Sequence, residues 1–380
     1  MLRKIRFAVL CIGLGLLAGF GARHLMKESG ELLRRPELTI TVPEGGVKSD
    51  AFSLRLFRQQ VHPYAGFAIA PATLSEAFMV LTNLAEGKVK KEIEQLQLCT
   101  AHKPHNAAPD ISILAAAEES LSYSPKSAQC PIFRLPFRDN LPSALSSFNT
   151  MLGCQAASSR DITPNTRLAL AMSTTFTMNL QSPFCRKNNK TTTFYTAEGG
   201  TSNVTMMRQR AMLRYASDAQ GSWEAVAFML KSNQPGGTEP VALIAIRPHG
   251  TAAKFAEALT PELFSTIRTA LATAEPRDCC VELPLLNGAC SGNILQPLEK
   301  QLGLHHLTDI TSRDWMFTTE RVGLNSMVEH LSFRIEQPEG TENAAEIDRA
   351  EHSISFDNPF IWAVTDLTTP APPYLMGMYQ

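Results

Sequence analysis

The chain reads as an α+β fold, helical in its N-terminal portion and rich in strands toward its end. Three observations predict this. Apolar residues recur at three- and four-residue spacing early in the chain, β-type apolar runs bounded by turn residues dominate from about residue 225 onward, and no internal repeat is present. Helices first and strands later argue against the regular alternation of a parallel α/β fold.

Each element has its own signal. Leu54, Phe57 and Val61 fall on one helical face. A second helix is predicted from Thr73, where Thr73 and Glu76 form a capping box and Leu74, Ala77, Phe78, Leu81 and Ala85 make a stripe that stops at Gly87. Val89, Ile93 and Leu96 begin a third. Strands are predicted at 225–230 and 241–246, joined across Pro235-Gly236-Gly237 as a hairpin or a longer connection. Two more, at 360–364 and 374–378, close the chain.

With 380 residues, 44% of them apolar, the chain can bury a large core. Its 35 basic and 36 acidic residues nearly cancel, so no global field argues for nucleic acid or an anionic membrane surface. Partners must come from local features. One is the N-terminus, where Arg3, Lys4 and Arg6 precede the apolar run 7–21. That pattern reads as a secretory h-region or a short signal anchor, with 1–30 as the signal segment, 31–47 as a polar lead-in or tether, and 48–380 as the body. The body is then expected outside the cytoplasm, extracellular or periplasmic, touching membrane only through its N-terminal segment.

Cys99, Cys130, Cys154, Cys185, Cys279, Cys280 and Cys290 lie beyond that run, an odd number, so at least one thiol stays unpaired within the chain beside one or two disulfides. Their spacing offers no CxxC clasp, and no metal or cofactor is expected. The sequence contains no G-x-S-x-G elbow, H-E-x-x-H pair, P-loop or dinucleotide fingerprint, and no catalytic residue is assigned. Asn189-Lys190-Thr191 and Asn203-Val204-Thr205 are glycosylation sequons wherever the source glycosylates.

The most informative segment is Gly340-Thr341-Glu342-Asn343-Ala344-Ala345, followed by Phe356-Asp357-Asn358-Pro359-Phe360. Thr341, Asn343, Ala345 and Ile347 alternate with Glu342, Ala344, Glu346 and Asp348, a period of two that gives a prospective strand one buriable face and one solvated face. Together with Phe67 to Leu74, Arg167 to Phe176, Ser182-Pro183-Phe184, Val281-Glu282-Leu283-Pro284, Leu302-Gly303-Leu304 and Met376-Gly377, in that order along the chain, this segment resembles the serpin family of protease inhibitors over residues 48–378.

The resemblance implies mixed β-sheets with an exposed reactive loop, and a mechanical function rather than an enzymatic one. A serine protease attacks the bait loop 340–356, and the hinge side enters the central sheet as a new strand before the acyl-enzyme is released. Residues 340–345 would be the hinge. Arg349-Ala350 suits the acidic pocket of a trypsin-like protease, whereas counting a usual family length puts the cleaved bond at Ile354-Ser355, almost on the Phe356 anchor. The resemblance also implies a gate under the sheet at Ala70, Thr73, Ser173 and His330, with Ala70 and Ser173 replacing polar residues and Leu180 a tryptophan. Gly340 to Arg349 spans only about 30 Å at ~3.3 Å per residue, against about 50 Å for a usual bait. The short bait predicts that cleavage will raise the melting temperature by only a few degrees. A non-inhibitory binding or scaffold protein, whose loop is only a substrate, is therefore the alternative. The stretch between Cys99 and Arg167 is also short, so one or two peripheral helices should be trimmed.

Overall fold

The computed structural model describes residues 50–62, 64–98, 108–231, 240–339, 350–369 and 371–380, all within the unit Glu44–Gln380. The expected signal segment and lead-in, Cys99, and the turn at 235–237 lie outside the described residues.

Helix α1, Asp50–Gln60, buries Leu54 and Phe57 as its periodicity requires, and Val61 packs on the same cluster just past its end. Strand β1, Phe67–Ile69, leads into α2, Pro71–Leu84. The predicted capping box does not form. The helix starts at Pro71, whose missing N–H costs nothing in the first turn, and Ala70 at the N-cap offers no side-chain bond. Thr73 spends its hydroxyl instead on Thr174, 2.7 Å away. The stripe Leu74, Ala77, Phe78 and Leu81 is buried as predicted, but Ala85 has already left the helix in an extended conformation. Gly87, expected as a stop, opens α3, Gly87–Glu94, at φ +58, and the Asp314 carboxylate fills the space a Cβ would need.

Two sheets carry the rest. Strands β2 (Asp110–Glu118), β3 (Phe133–Leu135), β4 (Leu168–Met178), β10 (Asn287–Asn293) and β11 (Ser326–Ile335) form a five-stranded sheet in the order β10-β11-β4-β2-β3. Strands β5 (Lys190–Tyr195), β6 (Thr201–Ser217), β7 (Trp223–Met229), β8 (Val241–Pro248), β9 (Pro276–Pro284), β12 (His352–Ser355), β13 (Phe360–Asp366) and β14 (Leu375–Tyr379) join β1 in the second sheet. Its path runs β1-β14-β13-β8-β7-β6-β9-β12, with β5 beside β6. The predicted strands β7 and β8 are antiparallel neighbours, as a hairpin requires, and β13 and β14, predicted only as strands, also pair antiparallel.

Helix α4 (Leu141–Leu152) covers the outer face of the five-stranded sheet, burying Ala144, Phe148 and Leu152 against Leu114, Ala116, Ala169, Ala171 and Val328. It is the only α-helix described between residues 108 and 167, in line with a trimmed periphery. Helices α5 (Ala252–Ala258) and α6 (Pro261–Thr273) join α1 against the second sheet. Helices α7 (Leu295–Leu302) and α8 (His305–Thr308) complete the cluster around α2 and α3. Arg268 on α6 ties α1 in place through a 2.8 Å ion pair with Asp50, both side chains being buried.

The inner face of β4 and β11 changes its packing partner halfway along. Leu168, Leu170, Met172 and Met327 pack in the cluster of α2, while Phe176, Met178, Leu331, Phe333 and Ile335 pack against the second sheet, with Phe333 and Trp362 ring centroids 5.0 Å apart.

Among the described residues no helix is long and apolar enough to cross a membrane, and no group of His, Cys, Asp or Glu side chains could hold a metal ion. Cys130, Cys154, Cys279 and Cys290 are free thiols, and burial first pushes the Cys279 thiol up to about 11.

Candidate functional site

Strands β11 and β4 run parallel and are paired over ten residues, from Ser326 opposite Ala169 to Ile335 opposite Met178. Antiparallel β10 and β2 flank them. The chain leaves β11 at Ile335, is described as far as Glu339, and resumes at Ala350 before it enters β12 at His352. A strand that doubled back after β11 would be antiparallel to both β11 and β4, so this seam is where one could enter with regular hydrogen bonding on both edges.

The near base of the loop is pinned. Glu336 N–H donates to the Met178 carbonyl at 3.0 Å, Arg186 N–H donates to the Pro338 carbonyl at 3.1 Å, and the Asn189 and Gln337 side-chain amides exchange bonds of 3.2 and 3.1 Å. Asn189, the first residue of one sequon, therefore has its amide engaged. Asn203, which begins the other, is exposed on β6.

The far base is held more firmly. Strand β12 lies parallel on β9, Phe356 N–H donates to the Glu282 carbonyl at 2.9 Å, and the Phe356 ring is fully buried against Phe360. Arg247 donates to the Ser355 carbonyl at 2.8 Å while paired with Glu224, and His352 stacks on Tyr215 with centroids 5.7 Å apart. This arrangement corrects one expectation. Ile354 is 3% exposed and Ser355 is half-buried within a paired strand, so their peptide bond is part of the sheet and not a bait. Ala350 is half-buried just before that strand, and the hinge 340–345 and Arg349 lie outside the described residues.

The four expected gate residues are split between two faces. Thr73 bonds Thr174 on the inner face, and Ala70 is buried on that side in the cluster with Leu331. Ser173 and His330, opposite each other in register, belong to the alternate set of side chains. His330 is half-buried, and its ring Nδ1 shares a 2.6 Å hydrogen bond with the Ser291 hydroxyl. Leu180, standing at the predicted tryptophan position, is buried and bridged to Leu230.

The pair that faces inward at mid-seam is Met172 and Glu329, which the sequence reading passed over. A signal for it existed. The inward set on β11 is Met327, Glu329, Leu331, Phe333 and Ile335, and Glu329 is its one charged member. The Glu329 Oε1 is enclosed without a hydrogen-bond partner, and burial pushes the carboxyl up to about 7.

Residues 154–379 match the family model described as Serpin (serine protease inhibitor). Among solved structures, a Manduca sexta serine protease inhibitor, serpin-12, is similar at 15% identity and TM-score 0.70, covering 88% of this chain and 98% of that one. Native protease nexin-1 with heparin is similar at 17% identity and TM-score 0.71, covering 87% and 97%. Uncleaved ovalbumin is similar at 16% identity and TM-score 0.70, covering 88% and 98%. At these identities the likeness is one of fold. A search of curated proteins returned no match.

Proposed function

The chain belongs to the serpin family, and from that premise we propose that it inhibits serine-type endopeptidases through the loop 340–356, which enters the β11–β4 seam after cleavage. The observation that carries this reading is a match of lengths. The seam is paired over ten residues, and Gly340 to Arg349 is also a ten-residue segment, about 30 Å when extended. A bait that is short beside a usual family loop is thus as long as the seam of this sheet.

In the proposed sequence the protease serine attacks the Arg349 carbonyl, the Ala350 amine leaves, and the acyl bond joins Arg349 to the enzyme. Residues 340–349 then insert, carrying the protease along the sheet. Ala350 onward stays behind on β12, where β9, Arg247 and the Phe356 ring hold it. Arginine at the cleaved bond suits a trypsin-like pocket. The apolar run 7–21 supports export of the body 48–380 across a membrane, with that run as signal or anchor.

One observation favours the second reading, a non-inhibitory binding or scaffold protein. Only Ala350 and Glu351 separate Arg349 from β12 at His352, which leaves a protease cleft little room beyond the cut bond. Incubation with trypsin followed by denaturing electrophoresis separates the two. A stable covalent complex, lost in Thr341→Arg because a charge would have to enter the sheet, is the expected outcome. Clean cleavage without a complex decides for the second reading.

A further inference from the structure

Glu329 sits at the point where the inner face of the seam changes partner, between Met327 in the cluster of α2 and Leu331 in the cluster between the two sheets. Its neighbour across β4 is Met172, and its neighbour across β10 is Gly292, which has no side chain to offer. Oε1 is enclosed and unpartnered among the described residues. Glu329 as a whole is half-buried, so the enclosure falls on one oxygen: a carboxylic acid tolerates it as the neutral form, whereas in a carboxylate Oε1 would be cut off from water and from any counter-charge.

The ionisable groups on the elements packed around this face are few. On β10 the Cys290 side chain, two residues from Gly292, is exposed, and its thiol is pushed up by partial desolvation and by Glu329 itself. On α2 the one charged residue is Glu76, which has an interaction of its own. On α7 they are Glu299, which accepts from the Thr308 hydroxyl, and Lys300. Desolvation is the only cause acting on the Glu329 carboxyl, so none of these groups supplies a compensating charge.

We infer that Glu329 is a proton-controlled latch on the β11–β4 seam: protonated, it lets the two strands stay paired, and ionised, it favours their separation, which admits water to the carboxylate. The linkage has a definite sign. Closed, the group titrates near 7; open and hydrated, it returns toward the ordinary value of 4.5. Opening therefore becomes easier as pH rises from about 4.5 to about 7 and changes little above that. Read with the proposed inhibitory mechanism, on which this consequence rests, the bait would enter faster at neutral than at acidic pH.

The test needs no protease. Native-state hydrogen exchange of the 328–331 and 170–174 amides is followed in the full chain and in E329Q at each pH from 5 to 8. The ratio of the two rates removes the chemical pH dependence of exchange. The expected ratio, wild type over variant, rises at least about tenfold across this range, most of it below pH 7. A ratio that stays constant overturns the latch. If E329Q does not fold, E329M, which matches Met172 opposite, serves as the uncharged reference with the same two outcomes. Failure to form a covalent complex with trypsin would remove the inhibitory reading and leave this ratio untouched.

Discussion

Arg268 shows at the residue scale how burial raises the stakes of a single contact. Its guanidinium pairs with Asp50 at 2.8 Å and also donates to the Ala371 carbonyl, while Asp50 keeps Oδ1 without a partner. Burial lifts the Asp50 carboxyl to about 6 against the pull of Arg268, so desolvation outweighs the attraction. Arg268→Ala should therefore lose about 3 to 5 kcal/mol in denaturant unfolding, because it strands a buried acid. The loss should shrink in acid, where Asp50 is neutral with or without its partner. A loss below about 1 kcal/mol at neutral pH would mean that water replaces the guanidinium without penalty.

Contacts between elements account for what the helix signals missed. The capping-box pattern at Thr73 and Glu76 is a local rule, and it yielded to a partner 101 positions away, the Thr174 hydroxyl on β4. Thr73→Val should cost about 1 to 2 kcal/mol by stranding that buried hydroxyl, and Thr174→Val a similar amount. The double variant should cost less than their sum, by on the order of 1 kcal/mol, as a thermal or denaturant cycle would detect. Simple additivity would show that the two hydroxyls do not depend on each other. Strand pairs were more legible than helix ends. The runs at 225–230 and 241–246 are apolar on both faces, and the structure buries them between α1, α5 and α6 on one side and the five-stranded sheet on the other.

The whole molecule is organised around a sheet that is closed where a further strand would fit. Judged against a usual bait, the ten residues from Gly340 to Arg349 are few; judged against this seam, they equal the number of its paired residues. Insertion would add backbone hydrogen bonds along both edges, roughly ten in all at about 1 kcal/mol net each before ordering costs. Cleavage after Arg349 should accordingly raise the melting temperature by roughly 5 to 10 °C, readable by calorimetry on the nicked chain. No rise at all would side with the loop as mere substrate.

The α+β class, the order of the elements and the buried stripe of α2 were readable from residue spacing, because each depends on neighbours two to four positions apart. The tertiary structure alone decided which bonds are accessible and which side chains meet. Ile354-Ser355 looked like a candidate until β9 was seen to pair with it, and Ser173 and His330 were separated from Ala70 and Thr73 by the pleat of one sheet. Glu329 carried its signal in plain sight, a charge in an apolar period of two, but its meaning required knowing that β4 lies alongside and offers Met172. Periodicity reports which face a side chain takes; only the long-range pairing of strands distant in sequence determines what that face encounters.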